Sequence, residues 1–233
     1  GTPDDMRRFV DGAHALGIGV LLDVVFNHYG PAGCTLREFT PAWVSTRHKS
    51  EWGDSPNFDG DASAPVREFV LANAAYWIDE FHLDGLRLDA TQSIVDDSRT
   101  HIVEQIGARV RVAARGRATL VVAENEPQHA RLLRAPERGG WGLDMLWNDD
   151  WHHAALVAAT AQDEAYCTDY RGRPQEFVSA AKHGFLYQGQ WYRWQAQRRG
   201  APAFDVEPAR FVHFLENHDQ VANAHHAGER VHR

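Results

Sequence analysis

The amino-acid sequence predicts an α/β fold and, within that class, an incomplete (β/α)8 TIM barrel running from about strand 3 to strand 7. Three observations carry this. Amphipathic helices alternate with short strands, the order that builds a parallel sheet with right-handed crossovers. The strands are almost continuously apolar, as expected where both faces are covered. Polar and charged residues collect just after several strands, where barrel enzymes place their sites. A doubly wound open sheet is the alternative, but the Gly-rich phosphate loop of its dinucleotide-binding version is missing.

The elements follow in order. Thr2-Pro3-Asp4-Asp5 is a helix start, with a capping hydroxyl, proline at the first helical position and acids at the positive end of the dipole. Met6, Phe9, Val10 and Ala13 give that helix one apolar face, and Gly17 stops it. The run Gly19 to Phe26 reads as a buried parallel strand. A helix from about Pro65 to Phe81 leads into a strand from Asp84 to Asp89, and a helix from Ser98 to Ala114 into a strand from Ala118 to Glu124. A short helix around His129 to Leu133, a strand from Leu143 to Asn148, a helix from Asp150 to Thr160, a segment near Pro174 to Lys182 and a strand from Arg210 to Asn217 complete the pattern. Five strands cannot close a barrel. Residues 1–233 therefore read as part of one catalytic domain, with about two strands expected before Gly1, one after Arg233, and flanking domains beyond.

Composition narrows the function. With 43% apolar and 24% charged residues the chain has the make-up of a globular protein, and a net charge of -8 argues against a nucleic-acid groove or an anionic membrane surface. The expected partner is neutral. Cys34 and Cys167 have no metal-like spacing and form no disulfide framework, which fits a reducing cytoplasm. No secretory leader is apparent before the first helix.

The chemistry gathers at four strand ends: Asp23 with Asn27-His28, Arg87 with Asp89, Glu124, and His218-Asp219. Carboxylates on separate strands, with no Cys/His ligand cluster and no cofactor motif, suit glycosyl transfer without a metal. Side chains at i and i+2 share a strand face, so Arg87 is expected beside Asp89, holding it ionised as a nucleophile. Glu124 is expected to work as acid and then base, with a neighbouring Asp219 raising its pKa. A retaining pair places its carboxyl groups about 5 to 5.5 Å apart. Each residue singly also has a structural reading, as a helix cap or an ion pair. Glu126 reads as a loop residue, and His152-His153 and His225-His226 as adjacent histidines whose side chains diverge rather than as ligand pairs. Tyr29, Trp52, Phe58, Tyr187, Trp191 and Trp194 fall in loops, where they can stack on sugars or simply pack.

Asp23-Val-Val-Phe-Asn-His28, Gly85-Leu-Arg-Leu-Asp89, Val122-Ala-Glu124 and Asn217-His-Asp219 together resemble, in order, the four signature segments of the α-amylase family, glycoside hydrolase family 13. The resemblance implies a (β/α)8 barrel, with Asp89 as nucleophile, Glu124 as general acid/base and Asp219 as the third carboxylate, gripping sugar hydroxyls. It implies Arg87 as the nucleophile's partner and Asp23, His28 and His218 as subsite contacts; Tyr29 and Trp52 join them as candidate aromatic contacts. The stretches Asn27 to Gly33, Trp52 to Gly60, Trp147 to His153, Gly184 to Gly189 and Asn217 to Asn223 resemble the trehalohydrolase branch of the family. That branch implies maltooligosyl-trehalose or a related α-1,4-glucan as substrate, and maltooligosyltrehalose synthase as pathway partner. Branching enzymes are the second choice, and Asp89-Ala-Thr-Gln92 departs from the histidine that trehalohydrolases tend to carry at the fourth position.

Overall fold

The computed structural model describes residues 1–223, in two compact units: Gly1–Glu124 with Ala135–Asp144, and Asn125–Arg134 with the chain from Met145 onward.

The first unit opens on helix α1 (Pro3–Ala15). Its start is a capping box: the Thr2 hydroxyl accepts the Asp5 N–H at 3.2 Å and the Asp5 carboxylate accepts the Thr2 N–H at 2.7 Å. Three parallel strands follow, β1 (Leu21–Val24), β2 (Gly85–Leu88) and β3 (Leu120–Ala123), with β2 in the middle. Their register aligns Asp23 with Arg87 and Arg87 with Val122. At the entry to β2, a Cβ on Gly85 would lie 1.9 Å from the Leu120 carbonyl oxygen, so only glycine lets the two strands come this close.

Helix α2 (Leu36–Phe39) lies in the long loop after β1; helices α3 (Ser63–Glu80) and α4 (Ile102–Ala113) pack together. Val66, Val70, Ala74 and Ile78 on α3, and Ile102, Ile106 and Val110 on α4, are buried with Leu86, Leu88 and Val121 of the strands. Burial of this apolar surface is the main stabilising term of the unit.

Two expectations need correcting here. The run 19–26 was expected to be covered on both faces; instead β1 pairs with β2 alone among the described residues, and Leu21 and Val25 are exposed. The helix expected from Ser98 begins only at Ile102, because Arg67 and Asp96 hold the preceding residues as a loop: Arg67 donates to Asp96 Oδ2 (2.7 Å), Ser98 Oγ (3.2 Å) and the Thr100 carbonyl (2.7 Å).

In the second unit β4 (Met145–Trp147) pairs in parallel with β7 (Phe211–Val212), and α5 (Asp149–Thr160) follows β4. Helix α6 (Pro174–His183) and an antiparallel hairpin, β5 (Trp191–Tyr192) with β6 (Gln197–Arg198), lie between α5 and β7, and α7 (His218–Asn223) ends the described chain. Ala154, Leu156, Val157, Cys167, Tyr170 and Tyr192 form the core. The strand expected over 210–217 is only two residues long: beyond it His213 packs on Trp151 and the Leu215 carbonyl bonds His152 Nδ1, so these residues serve α5 rather than a ladder. No helix among the described residues is long and apolar enough to cross a membrane.

Candidate active site

Arg87, on the central strand of the first unit, organises the site. It is 7% exposed, and its guanidinium reaches three carboxylates: Nη1 donates to Asp23 Oδ1 (2.7 Å) and Asp89 Oδ1 (2.8 Å), and Nη2 to Glu124 Oε2 (2.8 Å). Asp23 comes from β1, Asp89 follows β2, and Glu124 follows β3. The i, i+2 alternation puts Arg87 and Asp89 on one face, and the register brings Asp23 alongside. Burial alone would lower the Arg87 pKa, but the bond to Asp23 and the charges of Glu124, Asp23 and Asp89 outweigh it and hold the group above its ordinary value.

Asp89 is 25% and Glu124 18% exposed, accessible yet held. Asp89 is fixed through both oxygens, Oδ1 by Arg87 and Oδ2 by Asn27 Nδ2 at 2.8 Å. The same Asn27 amide reaches the Asp89 carbonyl at 3.1 Å, and its Oδ1 bonds His28 Nδ1. Glu124 Oε2 also accepts the Ala90 N–H (2.9 Å), while its carbonyl accepts the Thr91 N–H (2.9 Å) and hydroxyl (2.6 Å). The turn after Asp89 thereby grips the residue after β3, and Ala90 adopts a left-handed φ of 38° to do so.

Trp52 lies beside His28, ring centroids 6.1 Å apart. Its loop is pinned by paired backbone bonds between Tyr29 and Asp54 (2.8 and 3.1 Å). A Cβ on Gly53 would meet the Tyr29 carbonyl oxygen at 2.0 Å, so a side chain there would break this pinning. The Tyr29 hydroxyl is buried without a hydrogen-bond partner among the described residues, and burial pushes its pKa up to about 12.

Arg87, Asp89, Glu124, Asp23, His28, Tyr29 and Trp52 all belong to the first unit. His218 and Asp219 belong to the second, at the start of α7; the Asp219 N–H donates to Asn217 Oδ1 (2.9 Å) and its carboxylate lies 3.6 Å from His218 Nε2. Sequence reasoning gave Arg87 a single partner, Asp89, where the structure adds Asp23 and Glu124. It left Asn27 without a role of its own, although the strand-end signal Asn27-His28 was legible.

Glu126 is a structural loop residue, tied to Gln195 Nε2 (2.8 Å) and to Arg199. His152 and His153 are packed in aromatic surroundings on α5, His152 stacked on Phe214 and His153 against Tyr170. His225 and His226 lie outside the described residues. His48, Asp59 and Asp97 offer ligand atoms within 4.8 Å of one another, but a cation is already present in the form of Arg47, 3.3 Å from Asp59 and 3.0 Å from Asp97.

No family profile matches the chain. Among curated proteins it is 38% identical over 231 residues to the malto-oligosyltrehalose trehalohydrolase of Saccharolobus solfataricus, covering 99% of this chain and 40% of that protein. It is 36% identical over 235 residues to the enzyme of the same name from Deinococcus radiodurans, covering all of this chain and 37% of the relative. A 1,4-alpha-glucan branching enzyme from Thiobacillus denitrificans is 36% identical over 67% of the chain. Among solved structures, a putative alpha amylase from Salmonella typhimurium superposes with a TM-score of 0.86 at 36% identity, over 95% of this chain and 38% of the other. The chain belongs to the α-amylase family of glycoside hydrolases, and its α/β units have the fold of a part of that family's barrel. Within the family, the similarity to proteins named malto-oligosyltrehalose trehalohydrolase covers this chain from end to end, and the chain spans about 40% of their length.

Proposed function

We propose that the whole protein is a retaining α-glucan hydrolase of the malto-oligosyltrehalose trehalohydrolase type, cutting the α-1,4 bond next to a terminal trehalose unit. The observation that carries this is Arg87 holding Asp89 and Glu124 on its two terminal nitrogens, in a chain whose trehalohydrolase relatives match it along nearly all its length. Asp89, oriented through both oxygens, attacks the anomeric carbon while Glu124 gives its proton to the departing glycosidic oxygen. Water then attacks the same carbon, releasing Asp89 and returning a proton to Glu124. Asp219 serves as the third carboxylate, gripping sugar hydroxyls. His218, His28, Asp23, Tyr29 and Trp52 are the remaining substrate contacts in this reading.

The substrate implies a synthase that builds the trehalose end as pathway partner, and the two free cysteines support placing the enzyme in a reducing cytoplasm. Product analysis tests the reading. Free trehalose from maltooligosyl-trehalose, with plain maltooligosaccharide nearly inert, is the expected result; new α-1,6 branches would overturn it in favour of the branching-enzyme relative.

A further inference from the structure

The turn that carries the chain out of β2 departs from the sheet's ladder at one peptide. β2 and β3 pair in regular parallel register, with Leu88 opposite Ala123, and the Glu124 N–H donates to the Leu88 carbonyl at 3.0 Å. In a parallel ladder the next rung would run from the Ala90 N–H to the Glu124 carbonyl. Instead Ala90 turns into the left-handed region (φ 38°, ψ 57°), and the rung passes one residue on, to the Thr91 N–H at 2.9 Å. The Ala90 N–H is thereby released to the Glu124 side chain, 2.9 Å from Oε2, the oxygen that Arg87 Nη2 also holds. A slip of one residue, as in a bulge, re-aims a main-chain donor from a carbonyl to a carboxyl.

A left-handed conformation is costly for alanine and persists only where its neighbours over-determine it. On the near side the Asp89 N–H donates to the Val24 carbonyl (3.1 Å), and Asn27 Nδ2 donates to the Asp89 carbonyl (3.1 Å). On the far side Thr91–Ser93 form a 3-10 turn, closed by the Ser93 N–H on the Ala90 carbonyl (2.8 Å). Thr91 then adds a bond that no ladder rung requires. Its hydroxyl, in a residue only 2% exposed, donates to the same Glu124 carbonyl at 2.6 Å. Buried hydroxyls need an acceptor, and a threonine commonly finds one in its own segment. This one takes the carbonyl of the residue whose carboxyl the adjacent N–H holds.

We infer that Thr91 is a positioning residue for Glu124: its hydroxyl fastens the slipped rung, which keeps the Ala90 N–H on the Glu124 carboxyl. This rests on the reading of Glu124 as acid/base given above. A carboxyl that hands a proton to a departing oxygen and later takes one back has to stay within tenths of an ångström of its productive place. Thr91 acts on the reaction only through Glu124, so its removal weakens protonation of the leaving group and spares a departure that needs no proton.

The test uses the whole protein with Thr91→Val, which keeps the branched shape and removes the hydroxyl, and Thr91→Ser, which returns it. Two substrates are compared by kcat/KM, which reads the first chemical step: the α-glucan the enzyme cleaves best, whose leaving oxygen needs a proton, and α-maltotriosyl fluoride, whose fluoride leaves without one. Thr91→Val is expected to lose on the order of tenfold on the glucan, through kcat with KM near wild type, and nothing on the fluoride. Thr91→Ser is expected to recover most of the loss. Wild-type kcat/KM of Thr91→Val on the glucan would overturn the inference. An equal loss on both substrates would do so too, since a displaced nucleophile or a loosened fold gives that result, and a rise in KM alone would show a role in substrate binding instead. Glu124→Gln with wild-type turnover of the glucan would overturn the acid/base reading first, and the inference with it.

Discussion

Replacing Arg67 by methionine isolates what one half-buried cation does for the segment that follows the nucleophile strand. Arg67 makes five hydrogen bonds: Nη1 to the Phe58 carbonyl (2.7 Å), Asp96 Oδ2 (2.7 Å) and Ser98 Oγ (3.2 Å), and Nη2 to the Thr100 carbonyl (2.7 Å) and Gln105 Oε1 (2.8 Å). The Asp96 side chain is wholly buried. Methionine keeps the apolar stem but leaves Asp96 as a buried charge without its partner, a loss of about 3–5 kcal/mol. For a chain of this size that corresponds to a Tm drop of roughly 6–20 °C. Burial alone would raise the Asp96 pKa, but its bonds to Ser98 and Arg67 outweigh this and hold it below 3.8. Its stabilising contribution is therefore present above about pH 3.8 and lost as pH falls through the native value. Thermal unfolding by circular dichroism between pH 3 and 8 reads both effects: the deficit of Arg67→Met is expected to be largest at neutral pH and to shrink in acid. A loss under about 2 °C at pH 7, or one that does not change with pH, would refute the reasoning.

Asp89→Asn and Glu124→Gln in the whole protein are each expected to lose several orders of magnitude in kcat with unchanged circular dichroism; near-normal turnover by either would remove it from the mechanism. Burial holds His152 and His153 below their ordinary pKa, and the Arg199 charge adds to this for His153. The unfolded chain binds protons near pH 6.5 that the native one refuses, so stability is expected to fall as pH drops below that value and to fall less steeply in His153→Phe. A Tm that stays level from pH 7.5 to 5.5 would contradict this. Gly85→Ala is expected to destabilise by about 1–3 kcal/mol through the clash with the Leu120 carbonyl, measured as the shift in urea midpoint.

Helices with strong local signals were legible in the sequence. Thr2-Pro3-Asp4-Asp5 announced α1, and the spacing of Val66, Phe69, Val70 and Trp77 announced α3, because capping and periodicity are local properties. The site was legible where alternation and strand ends determined it, as in the bond between Arg87 and Asp89. What escaped were features set by partners distant in sequence. Arg87 reaches Asp23 and Glu124 through strand register, which no local pattern encodes. The hairpin was missed because two-residue strands show no alternation; its burial comes from Tyr192 and Arg199 meeting residues on α5 and near Glu126. The late start of α4 reflects Arg67, some thirty positions upstream by the order of the chain.

The unpaired side of β1 has a practical consequence. Among the described residues no strand pairs with that side, which runs beside exposed Leu21 and Val25, and this is how a sheet recruits a strand from another molecule. Expressed alone, this chain is expected to associate as its concentration rises, seen as earlier elution on size exclusion, and Val25→Lys is expected to keep it monomeric. Closing a barrel removes such an edge altogether. Closure is thus a safeguard of solubility as much as a scaffold for the carboxylates.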